Sequence, residues 1–244
     1  MAQSDVSNWT EAAEDWIAWV RAEGHDAFWA YRDAFEQFVG HGVGAGLEIG
    51  AGEGRICRVL RGLGYNMTAL EPVAALLEAA RAANSATTYI DASATDLPLA
   101  SESFDLVVLY NVLMDVDDLD ASAKEAARVL TLEGRIIVGI VHPIFDVHMA
   151  WKSGETPPPY FEPQVLDTEV AANGLQMRFR GWTRPLSAYV NGLANAGLFV
   201  SRMEEPRPDP DHPATLRLTE RNSVPTFLWL ELRRFSHSNE TQRK

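Results

Sequence analysis

Leu47-Glu48-Ile49-Gly50-Ala51-Gly52-Glu53-Gly54-Arg55 decides how this chain is read. An apolar, strand-like run ends at Ile49, three glycines follow at alternate positions, and an amphipathic segment, Ile56 to Leu60, opens behind them. Glycine allows a sharp turn and a close backbone approach to a ligand, and the N-terminus of the next helix aims free N–H groups at it. Such a loop suits a nucleoside-bearing cofactor. The dinucleotide fingerprint G-x-G-x-x-G would need glycine at position 55, where this chain has Arg55.

Ala69-Leu70-Glu71-Pro72 closes the next apolar run, and Glu71 stands about twenty residues past the loop, where a ribose-binding carboxylate is expected. Further on come Asp91-Ala92-Ser93-Ala94-Thr95-Asp96-Leu97-Pro98, the apolar run Phe104 to Leu109, Glu125 to Leu130, and Glu133 to Val138.

From 45 onward the pattern alternates. Strands are expected near 45–50, 66–71, 87–91, 104–110 and 135–141, and helices near 53–62, 73–83 and 119–131. Continuous apolar strands alternating with helices predict an α/β fold, a doubly wound and mostly parallel sheet covered on both faces. Cofactors bind such sheets at the carboxyl ends of the strands, where all these motifs fall. A helix near 186–196 and strands near 198–203 and 226–233 follow, joined by a Pro/Asp-rich link at 205–213.

Before the sheet, 9–39 is rich in aromatics, with helical spacing from Trp16 to Val20 and from Phe28 to Phe38 and Gly24 between. Most of these rings are expected to pack the helices onto the domain, and one or two to roof the site. Residues 144–184, with Pro157-Pro158-Pro159 and weak strand patterning at Gln176 to Phe179, read as a long insertion of functional kind. The whole 1–244 reads as one domain. It comprises an N-terminal helical cap (1–40), a cofactor-binding core (41–142), an insertion that caps the acceptor (143–185), and a C-terminal helix with an antiparallel strand pair (186–244).

The pattern Glu-x-Gly-x-Gly-x-Gly at Glu48 to Gly54 resembles motif I of the class I S-adenosylmethionine-dependent methyltransferases. Asp91 to Pro98 is similar to the adenine-binding turn of that family. The segments around Glu125 and Gly134 resemble the helix, tight turn and fifth strand of its small-molecule members, including the ubiquinone/menaquinone type. The resemblance runs in order from about Leu47 to His142. It implies a seven-stranded Rossmann-like sheet, S-adenosylmethionine as cofactor, and methyl transfer to an O, N or C atom of a small organic acceptor.

Residue by residue, it implies Glu48 facing the methionine ammonium and Gly50, Ala51, Gly52 and Gly54 lining the cofactor through their backbone. Arg55 either pairs with the methionine carboxylate or lies solvated on its helix. Glu71, beside Pro72, takes the ribose, and either Asp91 or Ser93-Ala94 borders the adenine. Tyr110 and Asn111 end strand four, where the family touches the methionine part and the acceptor. Met114 and Asp115 depart from the His-His or His-Val found there in the family, which leaves a base at that point without support. Trp29, Met114 and Arg184 are the acceptor-binding candidates, Arg184 being alternatively an anchor for the insertion. His142 and His25 are the candidate bases, since histidine titrates near neutral pH; His142 could equally fix the turn before Pro143.

A net charge of −13 with no Lys/Arg run argues against nucleic acid, whose phosphates need a clustered basic face. No apolar stretch approaches the ~18 residues that would span a bilayer. The polar N-terminus and the single cysteine, Cys57, suit a cytoplasmic protein without disulfides. No metal is expected: Asp115, Asp117 and Asp118 precede a helix, where carboxylates meet free N–H groups. A monomer or homodimer is expected. Two other readings stand beside the enzyme: a degenerate methyltransferase fold that binds the cofactor or a partner without catalysis, and an NAD-dependent oxidoreductase, against which Arg55 counts.

Overall fold

The apolar runs become strands close to where the sequence puts them, except that the fifth starts at Leu130, five residues early and inside the end of the helix expected to 131. The structure, a computed structural model, describes residues 5–22, 24–172, 174–213 and 224–235. Strands β1 (Ala45–Ile49), β2 (Asn66–Leu70), β3 (Thr88–Ile90), β4 (Phe104–Tyr110) and β5 (Leu130–Val141) run parallel. β8 (Leu198–Glu204) and β9 (Phe227–Arg234) complete a seven-stranded sheet in the order β3-β2-β1-β4-β5-β9-β8, in which β9 runs against its two neighbours. The order reverses between β1 and β4. That is the switch point where such sheets open a crevice at their carboxyl ends.

Period-two alternation assigns each strand residue to a face. Leu47, Ile49, Val107, Leu109, Leu228, Leu230 and Leu232 join one core, with α5 (Leu119–Val129) and α7 (Leu186–Asn195). Leu106, Val108, Tyr110, Phe227 and Trp229 join the other, with α3 (Arg55–Gly62) and the N-terminal segment. Glu48 alternates with Leu47 and Ile49 and therefore points to the second face.

The N-terminal segment holds helix α1 (Asp5–Arg21), a 3₁₀ turn (Ala27–Tyr31) and helix α2 (Arg32–Val39). Asp26 caps the turn by accepting from the Phe28 N–H at 3.1 Å. Phe28, Tyr31, Phe35 and Phe38 are wholly buried, and edge-on ring contacts link Phe35 to Tyr110 (5.2 Å) and to Trp229 (5.4 Å). At ~1.5–3 kcal/mol for each buried side chain, these four rings contribute roughly 6–12 kcal/mol, as much as a domain's whole stability. This stretch is part of the core rather than a detachable cap.

The insertion is more ordered than its sequence suggests. It forms α6 (Pro143–Lys152), then a hairpin of β6 (Gln164–Ala172) and β7 (Leu175–Thr183) that stands apart from the main sheet. Pro143 sets the first turn of α6, but the apolar residues that follow surround the helix instead of forming a stripe, and most stay half-exposed. The hairpin is held to the loop after β4: the Trp182 N–H donates to the Met114 carbonyl at 2.6 Å, and its indole to Asp117 at 2.9 Å. Asp118 caps α5 through the Ala121 N–H, as an acid before a helix should.

Candidate cofactor and acceptor site

All three loop glycines lie in the left-handed region, Gly50 at φ 69°, Gly52 at 56° and Gly54 at 85°. Their surroundings differ. A Cβ on Gly50 would lie 2.5 Å from Val112, and one on Gly54 would lie 2.4 Å from Ser85, so both are closed in by protein. A Cβ on Gly52 would meet only the Trp16 indole nitrogen, at 3.6 Å. Gly52 is thus the glycine that opens on ligand space. The loop is braced against the end of β2 and on itself: Ala51 N–H donates to Leu70 O (3.0 Å), Gly52 N–H to Glu71 Oε2 (2.9 Å), and Gly54 N–H to Ala51 O (2.9 Å).

Glu48 is 2% exposed, and its Oε2 has no hydrogen-bond partner. Burial pushes the carboxyl up to about 8, with hydrogen bonds from Cys57 and the nearby charge of Arg55 opposing it. A buried, half-satisfied carboxyl is costly unless a cation or donor arrives to meet it. Glu71 ends β2 and is also buried. Its two oxygens accept from the N–H groups of Gly52 and Val73 (3.0 Å), which leaves one lone pair on each. Burial raises it to about 7 against those two bonds, with Asp91 near enough to add repulsion. Pro72 follows Glu71 at this edge.

The structure separates the two adenine candidates. Asp91 is exposed beyond β3, close to Glu71, whereas Ser93 turns inward to Thr95 (Oγ to Oγ1 3.0 Å) and Ala94 is buried in the first core. Asn111, at φ 57°, donates its N–H to the Gly139 carbonyl (2.7 Å) and leaves its Oδ1 without a partner. Tyr110 points the other way, into the ring cluster of Phe28, Phe35 and Phe227, where burial raises its phenol above the ordinary range. Its side chain is a core residue, and only its backbone reaches the strand end.

Several expected roles are displaced by long-range partners. Arg55 is buried and paired with Asp26 at 2.7 Å, its guanidinium between the rings of Trp16 (4.9 Å) and Phe28 (5.5 Å). It is not solvated on its helix, and its Nη1 is taken by Asp26. Arg184 spends its guanidinium on the carbonyls of Leu113 (2.8 Å), Val116 (2.8 Å) and Asp117 (3.3 Å), so it anchors the end of β7 and does not receive an anionic acceptor. His142 caps α6: its Nδ1 accepts from the Ile144 N–H at 3.2 Å. The proton is therefore on Nε2, 3.1 Å from Glu205, and burial holds the ring below the usual histidine range against the pull of that acid. With both nitrogens engaged, His142 offers no base. His25 sets Nε2 3.0 Å from the Ala172 carbonyl, edge-on to Trp19, and so ties the N-terminal segment to the hairpin. Trp29 reaches the Val20 carbonyl (3.4 Å) and packs on Phe28, and Met114 receives Trp182 through its backbone.

Three groups were not visible in the sequence. Asp26 is one, recognisable only through Arg55. Glu53, 2% exposed, is held by Arg58 (2.7 Å) and by Arg21 of α1 (3.4 Å), a second tie across the loop. Asp146, one turn into α6 beyond the end of β5, is raised to about 6 by burial, with a hydrogen bond from Thr183 opposing the shift. An acid five residues past a strand carries no local signal of that environment.

The loop, the two buried acids and the switch point define a class: a doubly wound sheet that holds a nucleoside cofactor with a cationic end. Residues 47–138 match the methyltransferase-domain family. The chain is 30% identical over 138 residues to a malonyl-[acyl-carrier protein] O-methyltransferase of Enterobacter lignolyticus, covering 54% of each chain. It is 32% identical over 105 residues to an uncharacterized methyltransferase of Mycobacterium tuberculosis, covering 43% of this chain and 42% of the other. The chain thus spans about half the length of the curated relatives it matches. Among solved structures, an S-adenosylmethionine-dependent methyltransferase from Mesorhizobium loti superposes with a TM-score of 0.63 at 24% identity, over 86% of this chain and 98% of the other. Residues 47–138 thus match a methyltransferase domain, and the sheet has the fold of the S-adenosylmethionine-dependent methyltransferases.

Proposed function

We propose that this protein transfers the methyl group of S-adenosylmethionine to a small organic acceptor. The observation that carries the reading is the partnerless Oε2 of buried Glu48 beside a glycine loop that opens at Gly52. A cationic ammonium satisfies that oxygen, and a ribose supplies donors to the remaining lone pairs of Glu71. An NAD fingerprint would put glycine where Arg55 is locked to Asp26.

When bound, the cofactor supplies a methyl group already activated on a sulfonium. The chain's task is then to hold two reactants in line, which is worth ~7–11 kcal/mol where alignment is good. Glu48 and the loop fix the methionine end, Glu71 the ribose, and Asp91 the outer rim. Asn111 and the half-exposed face of α6 lie beyond the strand ends, where the acceptor would come. Asp146 is the group there with a carboxyl tuned near 6, and in its ionised form it takes the acceptor's proton if one must leave. Calorimetry with S-adenosylmethionine and with NAD, followed by release of S-adenosylhomocysteine across an acceptor panel, tests the reading. Binding of NAD alone would refute it, and cofactor binding without turnover on any acceptor would favour a binding module.

A further inference from the structure

Trp16 lies in the middle of α1, half-buried, with its ring edge-on to Trp9 (5.5 Å) and to Phe179 of the hairpin (6.2 Å). Its face covers the Arg55 guanidinium at 4.9 Å, and its Nε1 is the atom that a side chain on Gly52 would first meet. The indole N–H therefore sits over the one open point of the glycine loop. Three of the loop's own donors are spent, the N–H groups of Ala51, Gly52 and Gly54 going to Leu70, Glu71 and Ala51, and the Arg55 Nη1 is held by Asp26. Glu48 draws the cationic group of an amino-acid end and repels its carboxylate. That carboxylate must find a donor on the opposite side of the loop, and the charge of Arg55 behind the indole ring favours an anion there.

We propose that Trp16 is a cofactor-binding residue that donates its Nε1–H to the methionine carboxylate of S-adenosylmethionine. This rests on the cofactor reading above and adds to it a donor outside the glycine motif, on the N-terminal helix. Trp16→Phe keeps an aromatic ring on Arg55 and removes the donor. Calorimetry on the full chain should show S-adenosylmethionine weakened roughly 10- to 100-fold, the range of a hydrogen bond to a charged group. Decarboxylated S-adenosylmethionine, which has no anion for the indole, should bind the variant within about twofold of the unmodified protein. Independently of the variant's folding, the indole N–H resonance of Trp16 in the unmodified protein should move downfield with S-adenosylmethionine and stay in place with the decarboxylated form. Equal weakening of both ligands, or an indole resonance indifferent to the carboxylate, would overturn the proposal. Failure of the unmodified protein to bind S-adenosylmethionine at all would instead overturn the cofactor reading beneath it.

Discussion

Raising the pH from 6 to 8 should tighten S-adenosylmethionine binding by about two orders of magnitude. In the ligand-free protein, burial holds the Glu48 carboxyl at about 8, so at pH 6 it is neutral. Binding a cationic ammonium against its partnerless Oε2 favours the ionised form, and the proton must leave. Each unit of pH below the carboxyl's own value opposes binding by about 1.36 kcal/mol, so two units amount to about 2.7 kcal/mol, or roughly 100-fold in Kd. The sign for stability is opposite. Glu48 holds its proton in the folded chain but not in the unfolded one between about 4.5 and 8. The ligand-free fold therefore loses stability as pH rises through that window, while affinity for the cofactor grows. Calorimetry in two buffers of different ionisation enthalpy would count the proton released, close to one per ligand at pH 6.5. Glu48→Gln should bind weakly and abolish the step near 8. A Kd that stays flat between pH 6 and 8 with no proton released would refute the placement of Glu48 against the ammonium.

Glu71→Ala should weaken S-adenosylmethionine roughly 10- to 100-fold, since it removes the ribose acceptor and frees the Gly52 N–H; unchanged affinity in a folded variant would remove Glu71 from the site. Asp26→Ala leaves Arg55 buried without its partner and should lower stability by ~3–5 kcal/mol, read from urea unfolding, with a loss below 1 kcal/mol counting against a structural pair. Asp146→Asn should lower kcat more than it raises KM and remove a limb near pH 6 from the rate profile; a profile that keeps that limb would assign it to another group.

Sheet strands were legible because both faces of a parallel sheet are buried, so Phe104–Tyr110 or Asn66–Leu70 declares itself as an apolar run between turns. The positions of Glu48 and Glu71 at strand ends were legible because the apolar runs and the loop spacing fix them locally. For Arg184 and His142 the sequence left two roles open, and the structure takes the structural one in each case, while the pairing of Arg55 was not legible. Arg55 answers to Asp26, 29 residues earlier, Arg184 to carbonyls about 70 residues away, and His142 to Glu205. No local pattern records such partners. The insertion failed for a different reason: α6 has no apolar stripe, and much of the hairpin faces solvent, so neither period stands out. The aromatic leader was read in the right place, most of its rings as packing on the domain and one or two as a roof over the site. In the structure its second half is interior to the domain, and only α1 overlies the loop.

Trp19, Val20 and Met177 form a small apolar nucleus of their own, with Trp9, Trp16, Val170 and Phe179 around it, separate from the two cores of the sheet. Helix α1 and the hairpin are thus glued to each other, with His25 bonded to the Ala172 carbonyl. They reach the rest of the fold through Ala13, packed with Val73 and Leu76, and through polar ties such as Arg21 to Glu53 and Trp182 to Asp117. Units built this way open cooperatively at a fraction of the global unfolding free energy. Amide hydrogens of α1 and β7 should therefore exchange together, well ahead of those in β1 and β4. Ligand bound beneath α1 should slow that pair in step.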